Sequence, residues 1–190
     1  MSTVAIPAWT AVGLLPPIDD ADPTGAQRSP YRVSLRDLAM RLATTPERRA
    51  ILLGLLRYRA ALHRLGLAVG FQWLDGSFVE DVETIEGRAP RDIDVVTFLR
   101  SPQPLTFAGP DYRALDHHVA KTEFRVDSYL VELDLLPADH LVQQAAYWSS
   151  VWSHRRDHTW KGFLQLELAP TEDADAWAWL TQAAPPEVGP

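Results

Sequence analysis

Gly76-Ser77 is followed, after fourteen intervening residues, by Asp92-Ile93-Asp94-Val95-Val96, which pairs a turn suited to phosphate with two carboxylates at strand spacing. The run from Asp92 to Leu99 is rich in β-branched and aromatic residues, so strand alternation points Asp92 and Asp94 toward the same face. Two carboxylates about 7 Å apart on one face repel each other, and a hard divalent cation removes that repulsion. Magnesium takes oxygen ligands and keeps waters and substrate phosphates in its shell. The spacing therefore predicts a magnesium and nucleotide site.

Upstream, Phe71 to Leu74 reads as a short strand, Asp75-Gly76 as a turn, and Ser77 to Asp81 as a first helical turn able to face phosphate. Gly-Ser, a spacer, and a hydrophobically flanked Asp-x-Asp resemble the signature of the nucleotidyltransferase superfamily of the DNA polymerase beta type. A wider set, Gly13 to Pro17, Trp73 to Val79, Pro90 to Val96 and Lys161 to Leu166, is similar to the DUF6932 family of small bacterial nucleotidyltransferase-like proteins. The spacer holds Glu80, Asp81, Glu83 and Glu86, which must project away from an incoming triphosphate.

An enzyme of the resembled type needs a third carboxylate on a neighbouring strand to share the metal and accept the proton of an attacking hydroxyl. Asp127, Glu132 and Asp134 lie in the apolar run from Phe124 to Leu136, where alternation sets Asp127 opposite to Glu132 and Asp134. Val126-Asp127-Ser128-Tyr129-Leu130 resembles the family's third-carboxylate strand, which favours Asp127, with Asp134 as the runner-up. The resemblance then implies catalytic and metal roles for Asp92, Asp94 and Asp127, with two magnesium ions, and nucleotide contacts from Gly76 and Ser77. Lys161, ahead of the last strand, is a candidate point charge for a substrate phosphate, against the plainer reading of a flanking lysine.

These residues need a sheet to carry them, and 190 residues with 46% hydrophobic content suffice for one sizeable core. Residues 1–30 read as an extended lead packed by Trp9, Leu14 and Leu15, residues 31–182 as a single domain, and 183–190 as a frayed tail. Ser34 caps an expected helix from Leu35 to Ala43. Thr45-Pro46-Glu47 opens a longer one to about Leu65, ended by Gly66. Further helices are expected over Tyr112 to Thr122 and Ala138 to His154, and a last strand over Phe163 to Leu168. The expected architecture is α/β of the α+β type, a nucleotidyltransferase-like mixed sheet with helices packed against one side and a helical segment before it.

With no cysteine, disulfides, thiolate zinc sites and cysteine nucleophiles are excluded. No apolar run reaches membrane-spanning length and the first residues lack a signal-peptide pattern, so a cytoplasmic location without membrane contact is expected. The net charge of −7 hides a polarity: residues 31 to 64 contain eight arginines, whereas 75 to 94 carry seven acids. Arg48, Arg49, Arg57, Arg59 and Arg64 could face RNA or phosphate, but a solvated helix surface is the favoured reading. His154 and His158 would suit zinc only on a helix and with a third ligand. His117-His118 suggests nothing further, and no Walker-type loop or nucleophile elbow is present.

The expected function is transfer of a nucleoside monophosphate from a nucleoside triphosphate to an unidentified hydroxyl on an RNA end, a protein or a small molecule, with toxin or defence roles by analogy. The competing reading is a nucleotide-binding or regulatory module without turnover, working with a partner protein or as a homo-oligomer.

Overall fold

The computed structural model describes residues 3–101 and 109–182. Its helices start where the caps predict. The Ser34 hydroxyl accepts the Asp37 N–H at 2.9 Å and opens α1 (Leu35–Leu42), whose Leu35, Leu38, Ala39 and Leu42 form one buried stripe. The Thr45 hydroxyl accepts the Arg48 N–H, and Pro46 begins α2 (Pro46–Arg64).

Five strands follow the alternation of their sequences: β1 (Tyr31–Arg32), β2 (Val69–Asp75), β3 (Ile93–Arg100), β4 (Val126–Glu132) and β5 (Leu164–Glu167). The sheet order is β1-β5-β2-β3-β4, with β2 antiparallel to β3 and β5, and β4 parallel to β3. The fold is thus α+β with an open mixed sheet. Leu74, Ile93, Val95 and Val126 face the core shared with α1 and α2. Trp73, Val96, Phe98 and Val131 face the opposite way, and α5 (Ala138–Trp152) covers them with Trp148 and Trp152. Helices therefore cover both faces, not one, because each face carries large apolar side chains that must leave water.

The expected helix over Tyr112 to Thr122 is split into a 3₁₀ turn at Pro110–Leu115 and α4 (His117–Phe124). Asp116 breaks it by adopting extended backbone and capping the Val119 N–H. The expected helical turn at Ser77 is instead a run of turns, and α3 (Val82–Glu86) starts five residues later. The last helix, α6 (Asp173–Gln182), packs beside α1 and α2. The lead is bound into the fold through Trp9 Nε1 donating to Val79 O, Asp81 N to Gly13 O and Gly162 N to Leu15 O. Residues 183–190, expected to fray, lie outside the described residues. Among the described residues no helix is long and apolar enough to cross a membrane.

Candidate functional site

β2 and β3 pair so that Asp75 stands opposite Asp94, and β3 and β4 pair so that Asp94 stands opposite Asp127. Three aspartates from three strands thus form a row on the face that α5 covers. The row forms the floor of a cleft of about 770 Å³, which also takes in Gly76 and Ser77 from the turn after β2 and the aromatic flank of α5. Asp92 lies two residues before Asp94, half-buried, with Lys121 Nζ 3.2 Å from its carboxylate.

Gly76 has φ +81°, and a Cβ built on it would come within 2.8 Å of the Asp94 carboxylate. A side chain there would fill the cradle in which that carboxylate sits. Burial, then the neighbouring Asp127 and Asp92, push the Asp94 carboxyl up to about 6. One oxygen of Asp127, Oδ1, is buried without a hydrogen-bond donor, and His117 Nε2 stands 3.4 Å from it. His117 Nδ1 is 3.0 Å from Ser128 O, which orients the ring toward Asp127.

Lys121, on α4, bridges Asp92 and Asp127. Its hydrogen bond to Asp127 is the main reason its ammonium is held well above the ordinary lysine range, with Asp92 adding to the effect. Among the described residues no three His, Cys, Asp or Glu side chains converge as a ready metal site. The donor set nonetheless fits a divalent cation: hard carboxylate oxygens, an orphaned Asp127 Oδ1 and an Asp94 whose charge is disfavoured by burial and by Asp127 and Asp92 until a cation offsets them. Asp134, the alternative third carboxylate, lies beyond β4 and pairs with Arg100. Glu132 pairs with Leu99 in register, on the face away from the row.

Lys161 reaches the same cleft but is held between Asp75, at 2.8 Å, and Glu80, at 2.9 Å, with all three side chains at most 6% exposed. Burial pushes Asp75 up to about 7 in spite of Lys161, while the two carboxylates hold Lys161 above its ordinary value against the cost of burial. The acids of the spacer are likewise engaged. Glu83 takes a bidentate grip from Arg48, and Glu86 pairs with Arg88 and Arg155.

Two arginines of the basic segment are interior. Arg48 donates to the carbonyls of Phe78 and Glu80, pinning the turn behind Ser77, and Arg59 joins Asp173 and Gln72 to the end of β5. Arg49 donates to Leu180 O and Arg64 pairs with Asp111. Arg57 is exposed, so the five arginines divide between the interior and the surface. His154 and His158 have ring centroids 6.0 Å apart but lie past α5, with His158 at φ +68°, so helical zinc spacing does not apply.

Several residues of the site escape reading by motif. Asp75 ends β2 at the same parity as Trp73, a period-2 signal present in the sequence. Lys121, His117 and Glu80 leave no such signal, because their partners are brought to them from other elements.

The chain matches DUF6932, described as a family of unknown function, over residues 7–167, and it belongs to that family. No curated protein and no solved structure matches it.

Proposed function

We propose that this member of DUF6932 is a magnesium-dependent nucleotidyltransferase, moving a nucleoside monophosphate from a nucleoside triphosphate to a hydroxyl acceptor. The observation that carries the reading is the register of Asp94 against Asp127, with Asp92 two residues away and the Gly76–Ser77 turn closing on Asp94.

Asp92, Asp94 and Asp127 are the residues that would hold two magnesium ions. When bound, magnesium supplies positive charge between the carboxylates and the triphosphate and offsets charge building on the leaving pyrophosphate. Ser77 acts as a binder of phosphate at the open turn, and the missing Cβ of Gly76 leaves the room that the Asp94 carboxylate occupies at the cleft floor. Asp127, whose Oδ1 makes no hydrogen bond and has His117 Nε2 at 3.4 Å, accepts the acceptor's hydroxyl proton. The acceptor oxygen bonds to the α-phosphorus while the bond from that phosphorus to the bridging oxygen breaks and pyrophosphate departs. Lys161 serves through Asp75 and Glu80, setting the charge of the floor, in place of a direct phosphate contact.

One observation favours a second reading, a nucleotide-binding module without turnover that works with a partner protein. Lys121 already supplies a tethered cation to Asp92 and Asp127. An RNA end, a protein or a small molecule remain the classes of acceptor for the enzyme, with toxin or defence roles as settings in which such a transfer acts.

The test is titration calorimetry of each nucleoside triphosphate with and without magnesium, on the natural chain and on Asp94→Asn with Asp127→Asn. Magnesium-dependent binding that disappears in the double variant is expected. Transfer of an α-phosphate label to RNA or protein then distinguishes the enzyme from the module, and absence of binding overturns both.

A further inference from the structure

The cleft has a second wall that the transfer chemistry does not use. From Leu141 to Trp152, α5 carries no charged residue, although much of it faces solvent. Trp148 and Trp152, four apart, turn inward and are buried; Tyr147 and Val151, also four apart, turn outward and are 57% and 42% exposed. Tyr129 of β4 adds a ring that is 40% exposed.

The rings are in contact, with Tyr129 and Trp148 centroids 4.7 Å apart and Tyr147 and Trp148 5.1 Å apart. They line the cleft whose floor is Asp94 and Asp127. Trp148, itself 9% exposed, has an indole N–H that is buried and lacks an acceptor. Core packing explains the inward pair, but not two tyrosines left wet beside a row of carboxylates. Immediately after α5, Arg155 and Arg156 line the same cleft, and Arg156 is exposed with no ion pair among the described residues.

The geometry points to a nucleobase-stacking subsite on Tyr129 and Tyr147, backed by the buried ring of Trp148, so that the cleft takes the triphosphate as a whole nucleotide and not as a bare polyphosphate. The inference rests on the nucleotidyl-transfer reading and names the substrate class of that same site. Aromatic faces accept any base, because every base presents a π-surface. Among the described residues that line it there is no Asn or Gln to read a base edge by paired donor and acceptor, and Glu86, Arg88 and Arg155 are tied to one another in ion pairs. The subsite therefore separates nucleotide from polyphosphate strongly and one base from another weakly. The cleft volume of about 770 Å³ falls within the range of small-molecule sites.

The experiment compares ATP, GTP, CTP, UTP and inorganic tripolyphosphate, each with magnesium, by calorimetry and by quenching of tryptophan fluorescence. Tyr147→Ala is expected to weaken all four nucleotides by about tenfold or more and to leave tripolyphosphate unchanged, whereas Tyr147→Phe retains natural affinities. Equal binding of ATP and tripolyphosphate by the natural chain, or natural ATP affinity in Tyr147→Ala, overturns the stacking subsite while leaving phosphate binding intact. A hundredfold preference for one base overturns it too, since that requires edge readout. Failure of all five ligands to bind overturns the nucleotidyl-transfer reading itself. The exposed position of Tyr147 keeps the variant folded, which circular dichroism checks.

Discussion

Gly76 lies against the carboxylate of Asp94 so closely that a Cβ would stand 2.8 Å from its carboxyl carbon and from one of its oxygens. The backbone at Gly76 also has φ +81°, where a side chain is strained. Gly76→Ala is therefore expected to cost about 1–2 kcal/mol from conformation alone, plus the displacement of Asp94. Denaturant unfolding measures the first effect. Loss of magnesium-dependent nucleotide binding in protein that remains folded measures the second.

The Asp94 carboxyl holds its proton more tightly in the folded chain than in the unfolded one, at about 6 against 3.8. Its contribution to stability is fully present below the unfolded value and is lost as pH rises through about 6. That displacement corresponds to roughly 3 kcal/mol. Asp94→Asn removes the penalty. The variant should match the natural chain near pH 4 and melt several degrees higher above pH 7, while losing its response to magnesium. A melting difference that is constant with pH would sink this account.

Lys121 bridges Asp92 and Asp127 and so competes with any divalent cation for them. Replacing it by methionine keeps the stem and removes the charge. Lys121→Met should bind Mn²⁺ several-fold more tightly by titration, and should melt lower than the natural chain without metal because the carboxylates then repel. Unchanged or weaker Mn²⁺ binding would show that the lysine supports the cation site instead of competing with it.

Lys161, by contrast, neutralises two buried carboxylates, Asp75 and Glu80. Lys161→Met leaves Asp75 without its cation and Glu80 with only the longer pair to Arg155, at 3.6 Å, and is expected to cost about 3–5 kcal/mol of stability. Adding Asp75→Asn to that variant should recover part of the loss, because one buried charge is then removed. If Lys161 were instead a phosphate contact, the single variant would keep its melting temperature and lose only nucleotide affinity. Melting curves and calorimetry on the same samples separate the two outcomes.

Arg48 holds the turn in the same way that Lys161 holds the floor. Its guanidinium bonds the Phe78 and Glu80 carbonyls and Glu83, all within the segment that carries Ser77 into the cleft. Arg48→Met should destabilise the chain by about 3 kcal/mol or more, and partial proteolysis should cut first between residues 77 and 86.

Local rules made much of the fold legible from sequence. Ser34 and Thr45 start helices because each cap needs only a hydroxyl and an N–H three residues away. Asp94, Val96 and Phe98 share a side because strand alternation is a property of the backbone, whereas Asp92 lies just before β3. The same alternation set Asp127 apart from Glu132, and β4 keeps them on opposite faces. Sequence could not say that the second sheet face would receive a helix, since α5 reads as apolar without revealing which surface it covers.

By itself, then, the sequence determined the capped helices, the alternating strands, the Gly76–Ser77 turn and the family, each encoded by residues within a few positions of one another or by a pattern along the chain. Only the tertiary structure decided that Asp75, Asp94 and Asp127 stand in one row, that Lys121 joins two acids, and that Lys161 meets Asp75 across 86 residues of chain. Strand register and buried ion pairs are selected by the packing of distant segments, whose apolar faces must close together before these polar groups can meet.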